Sequence, residues 1–229
     1  MKVEIWSDIM CPFCYIGKRR FENALAQFPH KDQVEVIWKS FQLNPDMPAK
    51  VNKNIHEYLA ERKGWTVEYA RQANKQVTAM AAEAGLHYDL DKAIVANSFD
   101  AHRFSHLAAR HGKGSAAEEA LFKAYFTEGK NIGDRQVLAQ LGAGIGLDAD
   151  TVATALASDD YAAEVRRDME EAAALGARGV PFFVIDRRYA VSGAQPEALF
   201  LDALQQSFAE QAQTGTANGN ACAVDGNCE

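Results

Sequence analysis

The chain has 229 residues, of which 48% are hydrophobic and 24% charged, and its formal net charge is -7. This size and composition are typical of a globular protein with a substantial core, and the acidic balance argues against a general nucleic-acid binder, which usually presents a basic surface. No apolar run approaches the ~20 residues that a membrane-spanning helix needs. Glu4 and Asp8 interrupt the apolar residues at the N-terminus, so we expect no signal peptide and a cytoplasmic protein without membrane or nucleic-acid partners.

The first predicted elements form a strand–helix–strand unit. Residues 2–7, KVEIWS, have the β-branched and aromatic composition of a buried strand. Apolar residues then recur at helical spacing from Phe21 to Phe28, and Pro29 ends this helix. Another apolar run, residues 33–43, predicts a second strand. Because a helix joins the two strands, they are expected to pair in parallel with a right-handed crossover.

The middle of the chain is predicted to be helical. Residues 54–176 carry helix-like apolar spacing and no convincing strand pattern. Polar or small residues mark several helix ends. The expected caps are Thr66, Gly85, Asp134 and Asp148.

A hairpin is predicted over residues 179–194, with arms at 182–185 and 189–191 joined by a turn at 186–188. A final amphipathic helix, QPEALFLDALQQSF, follows the hairpin. From Ala209 the chain becomes small, polar and rich in Gly and Asn, which indicates a flexible tail.

Two cysteines, Cys11 and Cys14, lie at the junction of the first strand and helix, in DIMCPFCYIGKRR. Pro12 suits the first helical turn, where its missing N–H costs no hydrogen bond. The unpaired N–H groups and the dipole of a helix N-terminus stabilise a thiolate, and thiols of Cys-x-x-Cys sites reach pKa values of roughly 3.5 to 7. We therefore expect Cys11 to be an exposed redox nucleophile and Cys14 the resolving thiol, with the uncharged Phe13 between them.

The order of elements is βαβ, then helices, then ββα. With a Cys-x-x-Cys pair at the first strand-to-helix junction, this order predicts an α/β protein with a thioredoxin-like fold and a large all-helical insertion. Residues 1–48 and 177–210 are expected to form the thioredoxin-like domain, residues 49–176 the insertion and residues 211–229 a cysteine-containing tail.

The segment GVPFFV contains a candidate cis bond between Val180 and Pro181. Pro181 has no N–H to donate to a strand ladder, and the alternative is that it merely begins a strand. In a thioredoxin-like fold such a loop would face the cysteines and leave the backbone groups of Val180 available to an extended substrate.

Three segments, in order, resemble the FrnE-like branch of the DsbA family of thiol–disulfide oxidoreductases. They are SDIMCPFCYIGKRRFE, FTEGKNIGD and GARGVPFFVIDRRYAVSGAQP, and the resemblance extends over residues 3–208. It implies that Cys11 is the nucleophile, Cys14 the resolving cysteine, and Val180–Pro181 a cis-proline loop. It also implies protein thiols and disulfides as substrates, and a redox-active disulfide in place of an organic cofactor.

Phe13 differs from the His that periplasmic members of the wider family carry between their cysteines, which implies a less oxidising site. Related glutathione-dependent isomerases, such as 2-hydroxychromene-2-carboxylate isomerase, and kappa-type glutathione transferases share the architecture. They typically carry Ser where this chain has Cys11. The alternative function is therefore a glutathione-dependent isomerase or transferase acting on a small aromatic molecule. Glutathione also remains open as a co-substrate of the oxidoreductase, which is expected to be a monomer or a homodimer.

A second cysteine pair, Cys222 and Cys228, lies in the predicted tail. It is open whether this pair is a second redox pair that exchanges with Cys11 and Cys14, a metal ligand pair, or incidental. Its five intervening residues exceed the usual two to four of zinc ligands, and no metal site is predicted.

Charged and titratable side chains elsewhere have ordinary explanations. His102 and His106 have the i, i+4 spacing of metal ligands, but HRFSH lacks the Glu of a metalloprotease motif. They are expected to be surface or groove residues of the insertion. Lys18, Arg19 and Arg20 are expected to form a solvated helix face, with Lys18 close enough to Cys14 to influence it.

Overall fold

The computed structural model describes residues 1–48 and 51–217, with side chains described as far as residue 211. Among the described residues, the chain begins with strand, helix and strand, and it has two strands and a helix after residue 181; only helices lie between these two parts, as predicted. The strands are β1 (Lys2–Ser7), β2 (Glu35–Ser40), β3 (Phe182–Ile185) and β4 (Tyr189–Ser192). The helices are α1 (Pro12–Gln27), α2 (Ile55–Lys63), α3 (Val67–Glu83), α4 (Phe99–Arg110), α5 (Gly114–Phe126), α6 (Arg135–Gly144), α7 (Ala149–Ala157), α8 (Ala162–Ala174) and α9 (Glu197–Ala217).

The four strands form one mixed sheet in the order β2-β1-β3-β4. β1 pairs in parallel with β2, and β3 is antiparallel to both β1 and β4. The α1 crossover between β1 and β2 therefore produces the predicted parallel pair. β2 is shorter than the predicted strand, because a 3-10 turn at Lys31–Gln33 precedes it. The sheet and its helices confirm the thioredoxin-like fold.

Both faces of the sheet are covered by helices. On one face α1 and α9 pack through Phe21 and Phe200, whose rings lie 5.6 and 4.6 Å from that of Phe183 in β3. On the other face the indole N–H of Trp6 donates to the backbone oxygen of Asp168 in α8 at 2.8 Å. The last helix of the predicted insertion thus contributes to the sheet's second core.

The core of the helical insertion continues up to the two cysteines. Phe104, Phe122 and Phe126 are buried in one apolar cluster that also contains Cys11 and Cys14. In that cluster Tyr15 of α1 stacks on Phe122 with ring centroids 5.0 Å apart. The cysteines therefore lie where the insertion packs on the thioredoxin-like elements.

Predicted helix caps are observed in three cases. Thr66, Asp134 and Asp148 accept hydrogen bonds from backbone N–H groups at the starts of α3, α6 and α7. Gly85 has a φ of +75° and follows Ala84, which is the C-cap of α3. Among the described residues, no helix combines the length and apolar character needed to cross a membrane.

The predicted flexible tail is wrong as far as Ala217, because α9 continues to that residue. Beyond the amphipathic segment, Gln211 donates to the carboxylate of Asp186 in the β3–β4 turn at 2.8 Å, and Tyr189 of β4 bonds to Glu210. These contacts extend the helix past the point where its composition changes. Cys222 and Cys228 lie outside the described residues.

Candidate active site

Cys11 occupies the N-cap of α1, one turn after the end of β1. Its backbone is extended, with φ -88° and ψ 112°, and Pro12 is the first helical residue. The Cys11 N–H donates to Asp8 O at 2.9 Å, and the Cys14 N–H donates to Cys11 O at 3.0 Å. Both thiols are free. The first sulfur therefore lies at the positive end of the helix, as the sequence predicts.

The loop before β3 lies against the first cysteine. The Val180–Pro181 bond is cis, and Cys11 Sγ lies 3.5 Å from Val180 O. Both observations confirm the predicted position of this loop next to the dithiol. Gly17 of α1 permits the approach, because a Cβ at that position would lie 2.9 Å from Pro181 Cγ. The loop and α1 thus depend on one another for their packing.

The prediction of an exposed nucleophile is wrong. Cys11 is 4% exposed and Cys14 1%, whereas Phe13 between them is 39% exposed. The insertion contributes to this cover, because the hydroxyl of Tyr88 donates to Pro12 O at 2.8 Å. The loop at Val180 covers Cys11 from another side, with Val180 O 3.5 Å from Sγ. Local sequence could not indicate this burial, because Tyr88 is 76 residues from Pro12.

Several groups around Cys14 act on the pKa of its thiol. Burial raises the pKa of Cys14 well above the ordinary value of a thiol, and its hydrogen bond with Cys11 and a negative charge on Cys11 raise it further. The backbone of Asp8 and the hydroxyl of Ser7 act in the opposite direction. A raised pKa keeps Cys14 protonated, which fits the role of a resolving thiol.

Comparison with known proteins agrees with this geometry. The family described as the DSBA-like thioredoxin domain matches residues 2–205. The chain belongs to this family. It is 41% identical to a probable DsbA oxidoreductase from Streptomyces coelicolor, with a TM-score of 0.87 over 99% of this chain and 94% of that one. It is also 29% identical to the uncharacterized protein YwbO of Bacillus subtilis, over 80% of this chain and 86% of that protein.

More distant structures share the fold of this DSBA-like protein. The cytosolic disulfide reductase DsbM of Pseudomonas aeruginosa has a TM-score of 0.63 at 18% identity, over 91% of this chain and 98% of that one. A 2-hydroxychromene-2-carboxylate isomerase has the same TM-score at 13% identity, over 97% of this chain and 100% of that one. At these identities the two structures support the architecture alone.

Lys18 of the DSBA-like domain is 2% exposed, so its predicted place on a solvated helix face is wrong. Its ammonium group lies 2.7 Å from Glu22 of α1 and 2.5 Å from Glu119 of α5. Glu119 also accepts hydrogen bonds from Tyr15 at 2.7 Å and from Arg19 at 2.8 Å. This carboxylate, which the sequence analysis missed, ties the active-site helix to the insertion.

The two histidines of α4 have separate partners. His102 is 2% exposed, so the expected surface position is wrong for this residue, and its Nε2 lies 3.6 Å from Asp8 Oδ1. His106 Nε2 lies 3.0 Å from Asp168 Oδ2 and 3.1 Å from Ser40 Oγ. Within residues 1–48 and 51–211, no three His, Cys, Asp or Glu side chains are grouped so that they could hold a metal ion.

Asp8 is the second residue near the dithiol that sequence reasoning did not assign. It is buried, and its carboxylate accepts a hydrogen bond from the Leu43 N–H at 2.7 Å. A signal was present, because an acidic residue three positions before Cys11 in a buried strand-to-helix junction needs a partner. The identity of that partner depended on tertiary packing.

Proposed function

We propose that this chain is a thiol–disulfide oxidoreductase that exchanges disulfides with protein substrates through Cys11 and Cys14. The observation that carries the proposal is the arrangement of Cys11 at the N-cap of α1, in contact with Val180 O and with the buried Cys14 in the first turn of the helix. Membership of the DSBA-like family and the similarity to a probable DsbA oxidoreductase support the same chemistry.

The reaction requires no organic cofactor. The Cys11 thiolate attacks one sulfur of a substrate disulfide, forms a mixed disulfide and releases the other substrate sulfur as a thiolate. Cys14 loses its proton and attacks Cys11 Sγ, which closes the Cys11–Cys14 disulfide and releases the second substrate thiol. Two electrons pass from the dithiol to the substrate, and a cellular thiol such as glutathione regenerates the dithiol. The reverse sequence oxidises a substrate dithiol.

The surroundings of Cys11 favour substrates in an extended or flexible conformation. Cys11 is nearly covered, so a disulfide held rigidly inside a folded domain could not reach its sulfur. Val180 O lies 3.5 Å from Cys11 Sγ, so in the mixed disulfide it is placed to accept a hydrogen bond from an N–H of the substrate backbone. Phe13 offers an exposed apolar surface beside the same sulfur.

Reduction of insulin tests the proposal. We expect the purified protein to catalyse insulin reduction in the presence of a small thiol reductant, and Cys11→Ser to lose this activity. A Cys11→Ser variant with full activity would exclude the proposed role of the dithiol. The same assay with glutathione as the only reductant determines whether glutathione acts as a co-substrate.

A cavity lined in part by Tyr88 favours the alternative function as a second candidate. It has a volume of about 580 Å³ and is bounded by α2, α3 and the segment before α4. Tyr88 lines this cavity and bonds to Pro12 O, which connects it with the active-site helix. A glutathione-dependent isomerase or transferase could hold a small aromatic molecule there. Saturable, glutathione-dependent turnover of a small electrophile, unaffected by Cys14→Ala, would favour this candidate.

A further inference from the structure

The cavity lined in part by Tyr88 carries two positive charges. Arg71 and Lys75 of α3 line it, and their i, i+4 spacing places them on one face of that helix. Both residues are exposed, and neither side chain forms an ion pair or a hydrogen bond with another residue that the structure describes. The cavity, of about 580 Å³, therefore holds two cations that a ligand could neutralise.

The carboxylates that line the cavity have partners of their own. Asp89 Oδ2 lies 2.6 Å from the ammonium group of Lys92. Asp91 Oδ1 lies 2.8 Å from His56 Nε2. The hydrogen bond with His56 is the main cause that lowers the pKa of Asp91, and the charges of His56 and of the two α3 cations contribute to the shift. One carboxylate that is already bonded to a histidine cannot neutralise two cations, so the cavity keeps an excess of positive charge.

Tyr88 joins this cavity to the active site. It lines the cavity, and its hydroxyl donates to the backbone oxygen of Pro12, the residue after Cys11, at 2.8 Å. Burial raises the pKa of Tyr88, and a negative charge on Cys11 adds to this effect, so the phenol group lies within electrostatic range of that sulfur. The cavity thus begins about one side-chain length from Pro12. Because an extended chain advances about 3.3 Å per residue, a few residues of a substrate held on Cys11 span this interval.

We propose that the cavity receives acidic side chains of a protein substrate while the substrate's cysteine reacts with Cys11. The inference rests on the proposed function, because it concerns which proteins the dithiol acts on. An Asp or Glu a few residues from the reacting cysteine brings its carboxylate against Arg71 and Lys75. Such a substrate is preferred over one with neutral or basic residues at the same place, although the net charge of -7 of the whole chain opposes the approach of acidic proteins.

The size of the preference follows from the exposure of the two cations. An exposed ion pair contributes little to binding, so Arg71 and Lys75 together should favour an acidic over a neutral substrate by about fivefold in the rate of attack by Cys11. The attraction acts on the approach of the substrate, and salt screens charges that are in contact with solvent. The preference should therefore disappear at about 1 M salt.

The test is the reaction of the Cys14→Ala variant with synthetic peptides that carry one cysteine as a 2-pyridyl disulfide. The Cys11 thiolate attacks the peptide sulfur and forms the Cys11–peptide disulfide. The bond to the pyridyl sulfur breaks, and its electron pair leaves on pyridine-2-thiolate, which absorbance records. The peptides differ only in a pair of Glu, Gln or Lys residues, placed between about two and six positions from the cysteine on either side. Dividing each rate by that of the same peptide with 2-mercaptoethanol removes differences in intrinsic reactivity.

Added to the Cys14→Ala background, the double substitution Arg71→Gln/Lys75→Gln should bring the Glu and Gln peptides to rates within about 1.5-fold of each other. Arg110→Gln is the matched control, because Arg110 is an exposed cation at the end of α4 that does not line the cavity. It should keep the preference for Glu. Equal rates with Glu and Gln at every position before these substitutions, or a preference that survives the double substitution or high salt, would overturn the inference. Failure of every peptide to react with Cys11 would instead contradict the proposed function.

Discussion

Some side chains near the dithiol are buried and charged, and oppositely charged neighbours have to pair with them. Lys18 is the clearest case, because its ammonium group is buried and relies on two carboxylates from different helices. A buried charge that loses a partner is destabilising, since desolvation has already removed its contacts with water. Glu119 therefore has a role in stability that its position on α5 alone would not indicate.

Replacement of Glu119 by Gln should lower the free energy of unfolding by about 1–2 kcal/mol. Glu22 still neutralises Lys18 in this variant, and Glu119 is partly exposed, which limits the loss. Urea denaturation measures the effect. The matched control is Glu128→Gln, whose carboxylate pairs with the exposed Lys130 and should contribute less than about 0.5 kcal/mol. Equal effects of the two substitutions would contradict the importance of the buried pair.

Asp168 links stability to pH. Burial alone would raise its pKa, but hydrogen bonds from His106, the Ser40 N–H and Lys39 outweigh burial and lower it. A carboxyl group whose pKa is lower in the folded than in the unfolded state stabilises the folded protein at pH values above the unfolded-state pKa, about 3.9. This contribution is lost as the pH falls through the folded-state pKa. Asp168→Asn should therefore cost about 1–3 kcal/mol at pH 7 and progressively less below about pH 4. Urea denaturation between about pH 7 and pH 3 measures this effect. A difference in free energy of unfolding between the variant and the unaltered protein that stayed constant over this range would refute the prediction.

At the level of secondary structure, most elements could be predicted from local patterns, and their contacts could not. β1, α1 and the hairpin follow from strand alternation, helical spacing and proline positions, all of which act over a few residues. The burial of Cys11, Lys18 and His102 depends on contacts between segments that are distant in sequence. α9 extended beyond its amphipathic pattern because contacts with the β3–β4 turn support it.

The contact between Gly17 of α1 and the loop at Pro181 can be tested by substitution. Gly17→Ala places a Cβ against Pro181 and should displace the loop, since the ring of a proline cannot turn away. We expect insulin reduction to slow by about 10-fold, because small displacements at an active site are costly. Gly144→Ala is the control: a Cβ there meets no atom within 4 Å, and activity should not change. Full activity of Gly17→Ala would show that the loop position is not required.

For the whole molecule, the course of α9 limits what Cys222 can reach. Phe28, at the end of α1 away from Cys11, has its ring 5.7 Å from that of Phe208. α9 thus runs in the same direction as α1 and ends still further from the dithiol, more than about 30 Å from Cys11. Cys222 is five residues beyond Ala217, a reach of at most about 18 Å. Exchange between Cys222 and Cys11 is therefore expected between two copies of the chain.

Non-reducing electrophoresis of the Cys14→Ala variant tests this expectation. Any disulfide between Cys11 and Cys222 should migrate as a dimer and be lost when Cys222 is replaced by Ser. A monomeric Cys11–Cys222 disulfide, identified by mass spectrometry, would contradict the direction of α9 described above.

The most direct measurement of the central claim is capture of a protein substrate on Cys11. The Cys14→Ala variant, incubated with oxidised insulin, should form a mixed disulfide that mass spectrometry locates at Cys11 and that dithiothreitol releases. It should accumulate because the resolving thiol is missing, and Cys11→Ser in the same background should abolish it. Absence of this complex, or its persistence without Cys11, would contradict the proposal that Cys11 and Cys14 exchange disulfides with proteins.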